Sequence, residues 1–177
     1  AIFAMNDSER LTMNRRTFLL SGAALASLGG LYALKPSATQ AVAGDEVFEI
    51  TYTDQEWRTL LTPQQFAVLR KEATERAFTS DLLHEKREGT YNCAGCDLPL
   101  YESSTKYDSG TGWPSFYDAL PDAVRTRTDY KLVFPRTEVH CRRCGGHLGH
   151  VFNDGPQPTG LRHCINGIAL NFRPAAA

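Results

Sequence analysis

The chain contains five cysteines, and their spacing divides them into two pairs and one single residue. Cys93 and Cys96 form one Cys-x-x-Cys pair, Cys141 and Cys144 form a second, and Cys164 stands alone. Two such pairs are typical of a tetrahedral zinc site, because each tight turn presents two thiolates on one side. A single cysteine outside such a set is a candidate nucleophile. The sequence therefore predicts one metal centre and, separately, one reactive thiol.

Glycines in the two pairs favour the metal interpretation. Gly95 and Gly145 lie where the tight turn of each pair needs conformational freedom. The 44 residues between Cys96 and Cys141 exceed the spacing of a compact zinc ribbon, so the ion would join two separate hairpins. The alternative is a pair of structural disulfides between the two Cys-x-x-Cys segments, which an oxidising compartment permits.

The surroundings of Cys164 indicate more than packing. A lone cysteine in an apolar segment is commonly a buried packing residue. Here the two-residue period of a strand places Asn166 on the same face as Cys164, so that a hydrogen-bonding amide would lie beside the sulfur. The segment therefore favours a nucleophile with a polar neighbour.

Two further runs contain side chains that could serve a reactive thiol. His147 and His150 lie in a glycine-rich segment, where they are placed to lower a thiol pKa or to donate a proton. Each histidine taken alone is more often structural. Trp113 lies in an aromatic loop flanked by glycines, and an exposed indole there would form an apolar wall for a small methyl or thioether group. The alternative for Trp113 is an anchor in the core.

Two short helices are predicted ahead of these residues. Thr53 and Thr62 each begin a capping-box pattern, and a proline follows the second threonine at the first helical position. The apolar positions Phe66, Leu69, Ala73 and Ala77 continue the second helix on one face. That helix should end before the polar run at 88–89.

The residues from 90 onward have the pattern of a β domain. Short apolar or alternating runs, such as 131–134 and 168–172, are separated by clusters of glycine, proline and aspartate. These are strand and turn signals. The fold is therefore predicted to be mainly β, a small antiparallel domain preceded by the two helices.

The N-terminal residues resemble an export signal of the twin-arginine type. Arg15 and Arg16 precede an uncharged, glycine-diluted stretch at 18–34, and 41–43 supplies a small-x-small cleavage pattern. The stretch is short for a membrane-spanning helix. We therefore predict a signal at 1–43, whose first twelve residues are an extension or tag, and one domain at 44–177. The expected location is periplasmic or otherwise exported, and the alternative is tethering to the membrane by an uncleaved signal.

The charge balance argues against a nucleic-acid partner. The net charge is −1, and removal of 1–43 takes away four basic and two acidic residues, which leaves a more acidic domain. Affinity for nucleic acids depends on lysine and arginine side chains that neutralise phosphates. Without the signal, no stable insertion into a membrane is expected either.

Taken together, these motifs resemble the B-type methionine sulfoxide reductase family. The resemblance rests on the two Cys-x-x-Cys pairs, Gly-Trp-Pro-Ser-Phe, Gly-His-Leu-Gly-His-Val-Phe-Asn-Asp-Gly and Arg-His-Cys-Ile-Asn, in that order between about 52 and 172. It implies a mainly β fold with two antiparallel sheets, short N-terminal helices and one structural Zn²⁺ away from the active site. The zinc ligands would be the four paired cysteines.

The resemblance also implies a reaction and a role for each candidate residue. Cys164 would attack the sulfur of methionine-R-sulfoxide, free or in an oxidised protein, and become a sulfenic acid. Trp113 would pack against the methyl group, with Phe152 as a second substrate-binding residue. His150 would donate the proton. The sulfoxide oxygen would be bound and polarised by His147, His150 and Asn166.

Three positions depart from the usual family pattern. Thr111 occupies the place where many members have a second cysteine that resolves the sulfenic acid, so an external reductant is expected: a thioredoxin-like protein, a glutaredoxin-like protein or a small thiol. His163 stands where tyrosine is usual, and Gly167 where serine is usual. Both bear on rate and substrate preference.

Two other classes of protein share part of this pattern. A zinc-ribbon interaction module needs the four paired cysteines but leaves Cys164, Trp113 and the histidines unexplained. A thiol–disulfide oxidoreductase would use one Cys-x-x-Cys pair directly, and tightly bound zinc would argue against it.

Overall fold

The computed structural model describes residues 46–176. The predicted export segment at 1–43 lies outside them. No helix in the described part is both long enough and apolar enough to cross a membrane.

Both predicted helices begin at the expected threonines. Helix α1 spans Asp54–Leu60 and helix α2 spans Pro63–Lys71. In each, the N-cap threonine side chain accepts a hydrogen bond from the third helical N–H, and the Glu or Gln at that position accepts one from the threonine N–H. These reciprocal bonds satisfy donors that a free helix end leaves unpaired.

Helix α2 ends earlier than the sequence predicts. Glu72 takes a left-handed conformation with φ of 54° and closes the helix, so Ala73 and Ala77 lie in an irregular segment instead. The chain leaves the helix axis because Glu75 is buried and its carboxylate accepts hydrogen bonds from the backbone N–H groups of Gly167 and Ile168. A tertiary contact therefore outweighs the helical periodicity.

Nine antiparallel strands within the described residues form two sheets, which confirms the predicted mainly β class. The strands are β1 (Gly89–Cys93), β2 (Pro99–Glu102), β3 (Lys106–Tyr107), β4 (Ser115–Phe116), β5 (Val124–Asp129), β6 (Arg136–Cys141), β7 (His147–Phe152), β8 (Arg162–Ile165) and β9 (Leu170–Pro174). The smaller sheet has the order β2-β1-β9, and the larger has the order β3-β4-β8-β7-β6-β5.

Aromatic side chains from both sheets form the centre of the core. Tyr91 of β1, Tyr101 of β2 and Phe116 of β4 are fully buried. Tyr101 stacks on Phe116 with ring centroids 4.4 Å apart, and Tyr91 meets Phe116 edge-on at 4.9 Å. This cluster fixes the position of β4, which is the strand that pairs with β8.

Two strand predictions need correction. Residues 131–134 form an exposed loop, because Asp129 of β5 pairs with Arg136 of β6 and leaves the residues between them as the connection. Their side chains face no second layer, so alternation alone was misleading. In the run at 168–172, a 3₁₀ turn at Gly167–Ala169 precedes β9, which begins at Leu170.

Candidate active site and zinc centre

The four paired cysteines come together as predicted. Their sulfur atoms all lie within 4.8 Å of one another, and all five cysteines of the chain are free of disulfides. The Cys93 and Cys144 sulfurs are 3.7 Å apart, and those of Cys96 and Cys141 are 3.5 Å apart. Four thiolates at about 2.3 Å from a tetrahedral Zn²⁺ would be roughly 3.8 Å apart. The cluster therefore fits a structural zinc site and not two disulfides.

The two cysteine turns have the same backbone geometry. Asp97 N–H donates to Cys93 O at 2.8 Å, and Gly145 N–H donates to Cys141 O at 2.9 Å. The residue that takes the left-handed conformation is the fourth after the first cysteine, which is Asp97 with φ of 60° and Gly145 with φ of 67°. The prediction for Gly145 is confirmed, whereas in the first turn Asp97, and not Gly95, fills the equivalent place. Aspartate is among the residues that tolerate this conformation.

Cys164 lies in the interior of the six-stranded sheet, between two partner strands. In the register of β8, Cys164 pairs with Ser115 of β4 on one side and with His150 of β7 on the other. Directly opposed residues on antiparallel strands project to the same face. The sheet therefore places the Cys164 and His150 side chains next to each other.

A cavity of about 130 Å³ opens beside the Cys164 side chain. Five of the predicted site residues line it: Trp113, His150, Phe152, Cys164 and Asn166. Thr74, Arg136 and Gly149 complete the wall. One predicted residue, His147, is not part of this lining, although it lies close behind it.

A bulge in β7 accounts for the positions of the two histidines. In a regular strand, residues three apart face opposite sides. Here the register shifts between Val139 and His140 of β6, so that His147 through Gly149 span one residue more than the partner strand. The two imidazole rings consequently meet edge-on with centroids 5.5 Å apart.

His150 is oriented by a carboxylate. Asp129 Oδ2 accepts from His150 Nε2 at 2.8 Å and from Arg136 at 2.5 Å, and Asp129 Oδ1 accepts from the Lys131 N–H. The Lys131 N–H, together with His150 and Arg136, holds the pKa of Asp129 well below its usual range. An ionised Asp129 requires the proton of His150 to reside on Nε2, which leaves Nδ1 as an acceptor.

Burial makes His150 neutral in the resting protein. Loss of hydration lowers the pKa of His150 below its ordinary value of 6.5. The bond to Asp129 opposes this effect, whereas the positive charge of Arg136 adds to it. An imidazole in this state can accept a proton at neutral pH.

His147 is held in the sheet by an ionic network. Its Nδ1 donates to Glu138 at 2.6 Å, and both side chains are only 3% exposed. Glu138 also pairs with Arg127, and Arg127 donates to Glu72 at 2.8 Å. Burial raises the pKa of Glu138, but the bonds from His147 and Arg127 outweigh it, so the pKa is lowered. This network fixes the ring on which His150 packs.

The Cys164 thiol is protonated at rest, whereas the sequence indicated that the two histidines could lower its pKa. Burial raises the pKa of Cys164 above its ordinary value of 9.0, while Thr111 and Arg162 lower it in part. The histidines are not among the groups that lower it. Arg162 precedes Cys164 by two residues in β8, and Asp154 holds its guanidinium through two hydrogen bonds of 2.8 and 2.9 Å.

A chain of hydroxyl groups approaches the sulfur from the other side. Thr111 Oγ1 lies 3.9 Å from Cys164 Sγ, 2.8 Å from Ser109 Oγ, and Ser109 Oγ lies 2.7 Å from the buried Ser115 Oγ. Thr111, the position at which the family resemblance implies a second cysteine in many members, is thus next to Cys164.

Glu75 connects the substrate wall to the turn after Cys164. Its carbonyl oxygen accepts from Trp113 Nε1 at 3.1 Å, and its N–H donates to Asn166 Oδ1 at 2.9 Å. Asn166 Nδ2 donates to Leu148 O, which leaves one Nδ2 hydrogen for another partner. The indole and the amide are therefore both fixed before any substrate binds.

The two departures near Cys164, His163 and Gly167, do not line the cavity. His163 is buried on the opposite face of β8, where its Nδ1 lies 3.3 Å from the Tyr101 hydroxyl. At Gly167, a Cβ atom would come within 1.9 Å of Ser80 Oγ, so a larger residue requires Ser80 to move. Both residues act on packing around the site rather than on the reacting atoms.

Several side chains of the site were missed from the sequence. Arg162 could have been found, because the strand period places it on the same face as Cys164. Asp129, Arg136, Glu138 and Glu75 carry no such signal, since their roles depend on strand register and on contacts far apart in the chain.

Comparison with known proteins gives one consistent result. The profile of the SelR domain family matches residues 61–174. The chain is 56% identical over 123 residues to the peptide methionine sulfoxide reductase MsrB of Thiobacillus denitrificans, covering 69% of this chain and 93% of that protein. It is 52% identical to the MsrB of Methanosarcina barkeri, covering 68% and 86% of the two chains.

Two further comparisons involve proteins that are less similar to this chain. The chloroplastic peptide methionine sulfoxide reductase B1 of Arabidopsis thaliana is 48% identical over 139 residues, covering 78% of this chain and 68% of that protein. Among solved structures, the Mis18 'Yippee-like' domain aligns with a TM-score of 0.41 and 17% identity, over 51% of this chain and all of that domain. The latter likeness is too distant to bear on function.

Proposed function

Because the chain belongs to the SelR-domain family of B-type peptide methionine sulfoxide reductases, we propose that it reduces methionine-R-sulfoxide by a thiol mechanism centred on Cys164. It is an oxidoreductase that acts on methionine sulfoxide and so repairs oxidised proteins. One observation carries the finer assignment: Cys164 Sγ lies in a cavity shared with Trp113 and with the carboxylate-oriented His150.

Binding in this proposal depends on two walls of the cavity. Trp113 and Phe152 provide apolar surface for the methyl group and the thioether carbons. The second Nδ2 hydrogen of Asn166 is available to the sulfoxide oxygen. With the oxygen on the polar side and the methyl on the indole, the sulfur faces Cys164.

The proton needed by the oxygen starts on Cys164. The raised pKa of Cys164 and the lowered pKa of His150 both place it on the sulfur at rest. His150 Nδ1 accepts it as the thiolate forms, and the resulting imidazolium, stabilised by Asp129, returns it to the sulfoxide oxygen. His147 contributes by packing against His150.

The atoms and electrons balance without a further cofactor at the reacting centre. The Cys164 sulfur loses two electrons and gains the oxygen as a sulfenic acid, and the methionine sulfur loses the oxygen and gains two electrons. An external thiol then forms a mixed disulfide with Cys164 and releases water, and a second thiol regenerates the Cys164 thiol. Zinc, when bound by the four paired cysteines, supplies a structural cross-link between two hairpins.

A single-turnover experiment tests this function. Reduced protein mixed with excess methionine-R-sulfoxide, in the absence of any thiol, should form about one methionine per chain and a dimedone adduct on Cys164. Cys164→Ser should form neither, while it keeps its zinc. The S epimer serves as the control substrate. If no methionine appears, or if the adduct maps to another cysteine, the proposal is wrong.

A substitution in the hydroxyl chain should create an internal route of recycling. In Thr111→Cys, a thiol would stand where a hydroxyl now lies 3.9 Å from Cys164 Sγ. We expect the introduced thiol to convert the sulfenic acid into a disulfide with Cys164 and to abolish the dimedone adduct after one turnover. Thr111→Ser is the matched control, which should keep the adduct. If Thr111→Cys gives the dimedone adduct in undiminished yield, residue 111 is not close enough to Cys164 to react with it.

Export remains part of the proposal. Its support is the Arg15-Arg16 pair followed by an uncharged stretch and a small-x-small site at 41–43. A twin-arginine pathway carries folded proteins, which would let the four paired cysteines bind zinc before they meet an oxidising compartment.

A further inference from the structure

The loop between β5 and β6 carries an unusual concentration of exposed apolar surface. Half of the large apolar side chains that are exposed in the described part lie in it: Tyr130 at 77%, Leu132 at 59%, Val133 at 92% and Phe134 at 79%. Single exposed apolar residues are common on proteins, whereas a contiguous group marks an interaction site. The reaction described above uses none of these side chains.

The base of this loop is attached to the cavity. Asp129, directly before it, binds His150 and Arg136, and Arg136 lines the cavity beside Cys164. The Lys131 N–H donates to Asp129 Oδ1 and fixes the first turn of the loop. The loop that carries the apolar side chains is therefore joined at both of its ends to residues of the site, Asp129 and Arg136.

A second rim segment presents another exposed aromatic ring. Phe78 is 71% exposed, its N–H donates to Gly112 O at 2.8 Å, and its ring packs over Gly112, next to Trp113. Exposed apolar side chains therefore lie in the loop that leads into Arg136 and against the glycine that precedes Trp113, and both of those residues line the cavity.

The size of the cavity leaves most of a polypeptide substrate outside it. About 130 Å³ accommodates the end of one side chain, so the residues on either side of the sulfoxide must lie on the rim. Methionine is among the residues most often buried in folded proteins. When oxidation opens a core, the segment that carries the methionine sulfoxide also carries the apolar residues that recur along a core-forming helix or strand.

We propose that the side chains of Leu132, Val133 and Phe134 bind apolar residues that flank the methionine sulfoxide in an unfolded polypeptide, and so make this loop a determinant of substrate preference. The inference rests on the proposed function. A lipid surface is the less favoured occupant, because the Lys131 ammonium pairs with Glu72 and is not left for an anionic headgroup.

Three substrates test the proposal: N-acetyl-methionine-R-sulfoxide and two short peptides whose central methionine-R-sulfoxide is flanked by leucines or by serines. The variant combines Leu132→Ser, Val133→Ser and Phe134→Ser. Its kcat/KM for the leucine peptide should fall about tenfold through KM, the loss that follows when roughly 55 Å² of apolar surface no longer leaves water. Its kcat/KM for the other two substrates should stay unchanged.

Leu60→Ser is the matched control, because Leu60 is 59% exposed like Leu132 but lies on α1 and not in the loop between β5 and β6. It should leave all three substrates unaffected. The inference is overturned if the triple variant loses kcat/KM equally on all three substrates, or if it loses none on the leucine peptide. It is also overturned if the peptide kinetics are unchanged while the variant no longer co-sediments with anionic lipid vesicles. If wild-type protein reduces none of the three, the proposed function itself fails.

Discussion

At the scale of single residues, the proposed reacting pair, Cys164 and His150, has pKa values shifted in opposite directions. Burial raises the pKa of Cys164 and lowers that of His150, so both groups are neutral near pH 7. Desolvation disfavours the charged form of each group, which is a thiolate in one case and an imidazolium in the other. In the proposed reaction, one proton therefore passes from Cys164 to His150.

The pH dependence of the reaction should reflect this pair. Below the pKa of His150, which lies under 6.5, the imidazole is already protonated and cannot accept the Cys164 proton, so kcat/KM should fall as the pH falls. Above the pKa of Cys164, which lies over 9.0, the proton has left for solvent and kcat/KM should fall again. We expect a bell-shaped profile for N-acetyl-methionine-R-sulfoxide.

His150→Ala should lose the acid limb of this profile and lower its plateau by about 10²–10⁴-fold, the range for a positioned acid–base group. The exposed His84, which lies outside the cavity, provides the control. His84→Ala should reproduce the wild-type profile. An unchanged acid limb in His150→Ala would transfer the proton-accepting role to another group.

Glu75 should act on substrate binding through the residues that it positions. The two carboxylate oxygens of Glu75 accept from the N–H groups of Gly167 and Ile168, and Glu75→Gln replaces one of these oxygens with an NH₂ group that cannot accept. The turn at Gly167 should therefore loosen, and the free energy of unfolding should fall by about 1–3 kcal/mol. Since the same segment holds Trp113 and Asn166, we expect KM to rise more than kcat falls. The exposed Glu88→Gln is the control, and equal changes in the two variants would exclude this role.

At the scale of elements, the bulge in β7 and the close approach of β7 to β8 create the site. The bulge brings His147 and His150 together, and Gly149 lets the backbone of β8 come near. A Cβ atom at Gly149 would lie 2.0 Å from Cys164 O. The glycine thus sets the separation of the strands at the point where His150 faces Cys164.

Gly149→Ala should therefore disturb both stability and activity. The added methyl group must push β8 away from β7, and overpacking of this kind costs about 1–3 kcal/mol. Thermal unfolding should show a lower Tm, with kcat/KM reduced in the protein that remains folded. In the control Gly95→Ala the nearest atoms to the new Cβ lie at 3.6 Å, so its Tm should match the wild type. A wild-type Tm for Gly149→Ala would contradict this account.

The sequence was informative where a feature depends on neighbouring residues. The capping boxes at Thr53 and Thr62, the cysteine turns and the pairing of Cys164 with polar neighbours all follow from local patterns. The end of α2, the exposed loop at 131–134 and the bulge in β7 do not, because each is decided by a distant partner or by the lack of one. The roles of Asp129 and Glu138 could not be predicted from the sequence for the same reason.

At the scale of the whole molecule, the cysteine cluster joins the two sheets. Cys93 ends β1 of the smaller sheet and Cys141 ends β6 of the larger one. Arg70 of α2 donates to Cys144 O at 2.9 Å, so the helix is anchored at the same place. A bound metal would therefore hold three elements whose apolar contacts form one continuous core.

Loss of one ligand should release the metal and lower stability without direct effect on the nucleophile. Cys96→Ser should contain less zinc by elemental analysis, since structural zinc contributes its binding energy to folding. A loss of roughly 3–5 kcal/mol would lower Tm by on the order of 10–20 °C. Cys164→Ser is the converse control, with normal zinc content and Tm but no turnover. Equal zinc content in the two variants would rule out the assigned ligands.

The strand order also determines when the reactive sulfur acquires its surroundings. Cys93 of β1 pairs with Leu170 of β9, 77 residues later, and Ser115 of β4 pairs with Cys164, 49 residues later. Folding is slow when contacts connect distant parts of a chain, because long loops must close first. Until those closures occur, all five thiols are open to oxidation. An oxidant present during biosynthesis would therefore reach these thiols before the fold surrounds them.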